Sequence, residues 1–112
     1  MLITFRTERL EKACNTRVRA VREWGERRAR LIGRRLDDLR AAVTLADMRL
    51  LPGDCHEYKH RRDFVMTVDL DAGKRLFFRP ANDPAPTLAD GVSLDWTRVT
   101  AVEIIGVEDP HD

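Results

Sequence analysis

Cationic and metal-ligating side chains crowd one short stretch of this 112-residue chain: Cys55, His56, Lys59, His60, Arg61 and Arg62 fall within eight residues. Two further arginines, Arg75 and Arg79, stand four apart downstream, and Asp109 and His111 lie at the end of the sequence. Grouped cations face anions, so the first chemistry these residues point to is polyanion binding. Arginine supplies 17 of the 20 cationic residues. Its planar fork pairs bidentately with phosphate and stacks on bases, which a lysine ammonium does not.

The distribution of charge says more than its total. Residues 1–62 carry 16 Lys/Arg against 9 Asp/Glu, a balance of +7, and residues 63–112 carry 4 against 10, a balance of −6, which together leave the formal +1. A basic half beside an acidic half presents a field to a partner. Cys55, His56 and His60 are also zinc-ligand types, but one cluster with no second cluster at a known spacing gives no reason to invoke a metal. Cys14 and Cys55 form no CxxC, which predicts two reduced, buried thiols.

The elements that must position these residues show in the hydropathy pattern. Leu2-Ile3-Thr4-Phe5 reads as an opening strand. Thr7 offers a side-chain oxygen to the first amides of a short helix over Glu8–Cys14, with Leu10 and Ala13 as its apolar pair and Glu8 against the positive dipole end. Helical character continues from Thr16, a second capping residue, to Val43, with Gly25 as the joint. Ala29, Ile32, Leu36, Leu39 and Val43 are spaced three, four, three and four, which draws one apolar stripe. Arg27, Arg28, Arg30, Arg34, Arg35 and Arg40 share the opposite face, with Glu26, Asp37 and Asp38 as the nearby acids.

Pro52-Gly53 punctuates the end of the helical half. The period then changes to two: Phe64, Met66, Val68 and Leu70 alternate with Val65, Thr67 and Asp69, a strand with one buried face. Asp71-Ala72-Gly73-Lys74 is a tight turn, and Arg75–Arg79 returns as the second strand of a hairpin. Arg75 then has two readings, a site cation or the cross-strand partner of an acid such as Asp69. Pro80–Asp95 reads as a long irregular excursion and Thr100–Val107 as a last β-branched strand. The fold class expected is α+β: one domain over residues 1–112, a small antiparallel sheet with two or three N-terminal helices on one face. Apolar residues at 43% and charged ones at 35% exclude a disordered tail, a collagen-like repeat and a disulfide scaffold. No membrane-length apolar run and no leader pattern appear, so a cytoplasmic protein is expected.

Several of these words, in order, resemble a known family. Phe5–Asn15 and Leu36–Ala42 are similar to the N-terminal helices of the RelE/ParE superfamily of bacterial toxins. Thr44–Asp47, Leu51-Pro52-Gly53 with Cys55-His56, the Pro80–Pro84 loop, Leu94-Asp95-Trp96, Val99–Val102 and Glu108–Asp112 follow in register, nearest to its HigB-like killer-protein branch. The resemblance implies the toxin of a toxin–antitoxin pair: a ribosome-dependent mRNA endonuclease with a microbial-ribonuclease-like fold and no metal or cofactor. It further implies a helix-turn-helix antitoxin, HigA-like, that blocks the toxin and carries the pair to operator DNA.

The family's His-x-Leu-Lys-Gly-Asp-Arg segment falls on His56–Arg62, the Arg of its hairpin strand on Arg75, and the His of its terminal Asp-Tyr-His on His111. The resemblance thus makes Lys59, Arg62, Arg75 and His111 the catalytic set: Arg62 and Arg75 as phosphate clamps, Lys59 as charge stabiliser, His111 as general acid or base. His56, His60, Arg61, Arg79 and Asp109 become RNA-binding positions, with Asp109 orienting His111 or placing the tail. Three departures bear on activity. His60 and Phe64 replace family glycines, and Pro110 replaces the tyrosine before the terminal histidine. They leave open a non-catalytic ParE-like or degenerate toxin acting on gyrase or nucleic acid, and a plain nucleic-acid-binding module that works through the Arg-rich helix.

Overall fold

A computed structural model describes residues 1–61 and 63–110. The chain runs β1 (Leu2–Phe5), α1 (Glu8–Asn15), α2 (Arg17–Trp24), α3 (Glu26–Ala41), a 3-10 turn (Leu45–Leu50), β2 (His56–Glu57), β3 (Met66–Asp69), β4 (Arg75–Pro80), a second 3-10 turn (Trp96–Arg98) and β5 (Ala101–Glu108). The fold is α+β, as expected, with the five strands in one sheet of order β1-β5-β4-β3-β2. All pairs are antiparallel except β1 with β5, which run parallel because the helical segment and the remaining strands intervene between them.

Thr7 caps α1 as expected, accepting from the Leu10 amide at 3.1 Å. Thr16 occupies the cap position of α2, but its side chain makes no capping bond. Gly25 is the joint between α2 and α3, at φ +83°. Along α3 the residues Ala29, Ile32, Leu36 and Leu39 are buried. Val43, placed on that stripe by spacing, is 77% exposed, because α3 stops at Ala41 and the stripe's geometry stops with it.

The stripe packs on one face of the sheet. Ile32, Leu36 and Leu39 share a core with Met66 and Val68 of β3, Leu76 and Phe78 of β4, and Val102 and Ile104 of β5, closed at one end by Leu94, Trp96 and Val99. Side chains alternate along a strand, so Thr67, Asp69, Arg75 and Phe77 take the face away from the helices. The expectation of one buried face is corrected here. Thr67 and Phe77 are buried too, because Tyr58 packs edge-on over Phe77, ring centroids 5.1 Å apart. β3 is also shorter than expected: Phe64 sits at φ +59°, and pairing begins at Met66.

The Arg-rich face of α3 is divided. Arg28 reaches the hairpin and pairs with Asp71 at 2.7 Å, and the Nε of Arg35 donates to the Asp69 carbonyl at 3.0 Å. One acid the sequence reading did not count, Asp71, therefore neutralises part of that face, and a backbone carbonyl holds Arg35 beside Asp38. Arg27, Arg30 and Arg34 stay exposed.

Candidate phosphate-facing site

The turn at Leu51–Asp54 is the origin of the site. Gly53 lies at φ +109°, and a Cβ there would stand 2.5 Å from Val68 Cγ2 and 2.8 Å from Arg35 Nε. Only glycine lets the turn settle this closely on β3, where the Gly53 carbonyl accepts the Asp69 amide at 2.7 Å. The next residue, Asp54, is held at φ +49°. Its carbonyl lies 2.6 Å from His56 Nδ1. A ring nitrogen at that distance from a carbonyl oxygen carries the hydrogen, so in the neutral ring Nδ1–H donates and Nε2 keeps the lone pair.

His56 opens β2, a two-residue strand that pairs His56 with Thr67 and so puts the imidazole on the face away from the helices. Arg75 opens β4 opposite Asp69 on that same face. Its Nη1 stands 3.4 Å from His56 Nε2, and its Nε 3.1 Å from an Asp69 carboxylate oxygen. The two readings of Arg75 are both realised: one edge of the guanidinium serves the cross-strand acid and another faces the histidine.

An open hollow of about 330 Å³ lies here, lined by His56, Tyr58, Lys59, His60, Arg75 and Pro110, with Glu57 at its edge. The phenol of Tyr58 donates to the Pro110 carbonyl at 3.2 Å, and its ring meets His60 edge-on with centroids 5.2 Å apart. Tyr58 and Pro110 form a ridge. Beyond it a second hollow of about 460 Å³ is lined also by Arg61, Lys74, Phe77 and Asp109. Lys59 has no acidic partner among the described residues and is exposed.

Of the residues singled out in the sequence, the fold brings Lys59, Arg75, His56 and His60 to the first hollow, and Arg61 and Asp109 to the second. Arg79 lines neither. It pairs with Glu103 at 2.8 Å and Asp63 at 3.7 Å, and Arg61 also holds Asp63, at 2.9 Å. Arg62 and His111 lie outside the described residues. Sequence reasoning missed Gly53 and Asp54, whose contribution is backbone geometry, and Tyr58. The signal available was the Pro52-Gly53-Asp54 turn directly upstream of the basic cluster. Cys55 and Cys14 are both free, but of the two thiols expected to be buried only Cys55 is; Cys14 is half-buried, and desolvation pushes Cys55 up to about 12 and Cys14 up to about 11, so both stay protonated near neutrality. Among the described residues no three His, Cys, Asp or Glu side chains gather as a metal site, and no helix is long and apolar enough to cross a membrane.

No family model, no curated protein and no solved structure matches this chain.

Proposed function

We propose that this protein is a RelE/ParE-like toxin of the HigB-like branch, a metal-independent endoribonuclease that cuts mRNA on the ribosome in the cytoplasm and is held inactive by a helix-turn-helix antitoxin. One observation carries the chemistry: an imidazole fixed through Nδ1, its unprotonated Nε2 facing an Arg75 N–H at 3.4 Å, on the wall of an open hollow that Lys59 also lines.

Cleaving RNA through its own 2′-hydroxyl requires a base for that proton, an acid for the leaving 5′-oxygen, and cations against the extra charge on five-coordinate phosphorus. In this reading His56 Nε2 takes the 2′-hydroxyl proton and the 2′-oxygen bonds to phosphorus. The bond from phosphorus to the 5′-oxygen breaks, and protonated His60 supplies the hydrogen to that oxygen. The products are a 2′,3′-cyclic phosphate and a 5′-hydroxyl. Arg75 and Lys59 face the phosphorane oxygens, and Tyr58 offers a ring for a base to stack on. This reading gives the base role to His56, whereas the resemblance makes His111 the general acid or base. The pairing of Tyr58 with Pro110 also supports kinship. Where the family pattern has leucine and then tyrosine, this chain has tyrosine and then proline, and a phenol again meets the chain end.

A second reading has its own support. Arg75 is tied to Asp69, and Arg61 and Arg79 to Asp63, so much of the positive charge is already neutralised, which suits a degenerate toxin that binds without cutting. Primer extension on translated message after brief induction separates the two. Codon-linked cuts that vanish in His56→Ala and Arg75→Ala support the nuclease. Intact message with stalled replication supports a binding toxin, and unaffected growth with intact message refutes both.

A further inference from the structure

A third hollow, of about 410 Å³, lies in the helical layer and shares no lining residue with the site above. Arg17, Arg30 and Arg34 line it together with one acid, Asp37, and with Asn15 and Gly33 in its wall. Two features there are unfavourable in the protein alone. Arg30 and Arg34 stand one turn apart on α3, a spacing at which like charges repel, and neither has an acidic partner among the described residues. Between them sits Gly33, the one glycine inside α3, where it weakens the helix.

Packing does not explain that glycine. A Cβ at Gly33 would meet nothing within 4 Å, and its φ is not one that excludes other residues. A side chain at this position would fill only the hollow. The acids nearby are already engaged: Asp37 pairs with Arg40 at 3.6 Å, and Glu26 with Arg17 at 3.5 Å. Two uncompensated guanidinium groups beside an open wall therefore call for a ligand carrying about two negative charges, the charge of a phosphate monoester near pH 7. A phosphodiester or a carboxylate carries one.

We infer that the hollow between α2 and α3 binds a terminal phosphate monoester, clamped by Arg30 and Arg34 and admitted by Gly33. Such a group comes from a free nucleotide or from the 5′-phosphorylated end of an oligonucleotide. The inference is independent of the proposed nuclease site.

The test follows the arginine Nε–Hε signals of Arg30 and Arg34 and the Gly33 amide by NMR. The probes are inorganic phosphate, adenosine monophosphate, and one short oligoribonucleotide in 5′-phosphorylated and 5′-hydroxyl forms. Saturable shifts are expected at these residues with the phosphorylated probes. Binding should weaken about tenfold or more in Arg30→Gln with Arg34→Gln, since charge-assisted hydrogen bonds are lost. It should weaken as much in Gly33→Leu, a variant whose thermal unfolding stays at or above that of the parent. Arg75→Gln should leave these shifts in place. Adenosine monophosphate binding as tightly as the phosphorylated oligonucleotide marks a free nucleotide as the source; much tighter oligonucleotide binding marks a strand end. Equal binding of the 5′-hydroxyl and 5′-phosphorylated forms, no saturable shift, or undiminished binding by both variants overturns the inference.

Discussion

Replacing Gly53 by alanine tests the architecture of the sheet site without touching a charged group. The new Cβ lies 2.5 Å from Val68 Cγ2 and 2.8 Å from Arg35 Nε, both inside the closest approach real side chains make. Val68 is fully buried in the core and has nowhere to go. Arg35 can swing aside only by giving up its bond to the Asp69 carbonyl. An L-residue at φ +109° adds backbone strain of about 1–3 kcal/mol. Overpacking against a close-packed core adds about 1–3 kcal/mol. A total near 4 kcal/mol corresponds to a Tm lower by roughly 15 °C for a domain of this size. Gly33→Ala is the counterpart, since its Cβ meets nothing and the helix gains; stability rises by about 0.5–1 kcal/mol. Thermal unfolding followed by circular dichroism reads both. The His56 ring nitrogens, followed by NMR, give a second readout: lifting the turn off β3 moves the Asp54 carbonyl and erases the preference for hydrogen on Nδ1. A Gly53→Ala protein that melts within a degree of the parent, or a Gly33→Ala protein that falls alongside it, refutes the account of what holds this turn.

Thr67→Val should stabilise the protein by about 1 kcal/mol, because the Thr67 hydroxyl is buried with no hydrogen-bond partner and valine keeps its shape; chemical denaturation checks it. Both thiols should resist a thiol reagent in the native protein at pH 8 and react on unfolding, since burial holds them protonated to about 11 and about 12. The same shifts make stability fall as pH rises from about 9, where unfolded thiols ionise, through those values, and alkaline unfolding curves of Cys55→Ala should lose part of that slope. Asp95 is held below the usual carboxylate range by its Thr97 hydroxyl bond and by Arg98, so its contribution is present above the ordinary value near 3.8 and fades as acid protonates it in the folded state. Hydrogen exchange should show Trp96–Arg98 opening first below that pH.

Much of this fold is legible in the sequence because local rules and packing agree. The hairpin shows as a period of two on either side of Asp71–Lys74, and turn length then sets the register that brings Arg75 opposite Asp69. The α3 stripe is legible up to Leu39. It fails at Val43 because periodicity carries no information about where a helix stops. β2 was invisible for a different reason: two residues cannot show a period, and His56–Glu57 become a strand only because β3 offers them an edge. The same limit applies at the site. Clustered cations announce an anion, but what orients His56 is the Asp54 carbonyl, and every residue has a carbonyl.

That orientation bears on the choice between the proposed nuclease and a role in binding alone. A surface that only binds phosphate needs positive charge and no preferred tautomer. Here the positive charge is partly taken by Asp69 and Asp63, whereas the histidine is fixed with its Nε2 lone pair toward Arg75, on the lining of a hollow. Arg75 holds the ring from the other side: its Nη1 stands 3.4 Å from Nε2, so a guanidinium N–H faces that lone pair and the two side chains orient one another. Arg75→Gln should therefore loosen the ring and weaken the preference for hydrogen on Nδ1. His56 ring-nitrogen NMR signals that are unchanged in Arg75→Gln would leave the 3.4 Å approach without consequence and hand the argument to a binding-only role.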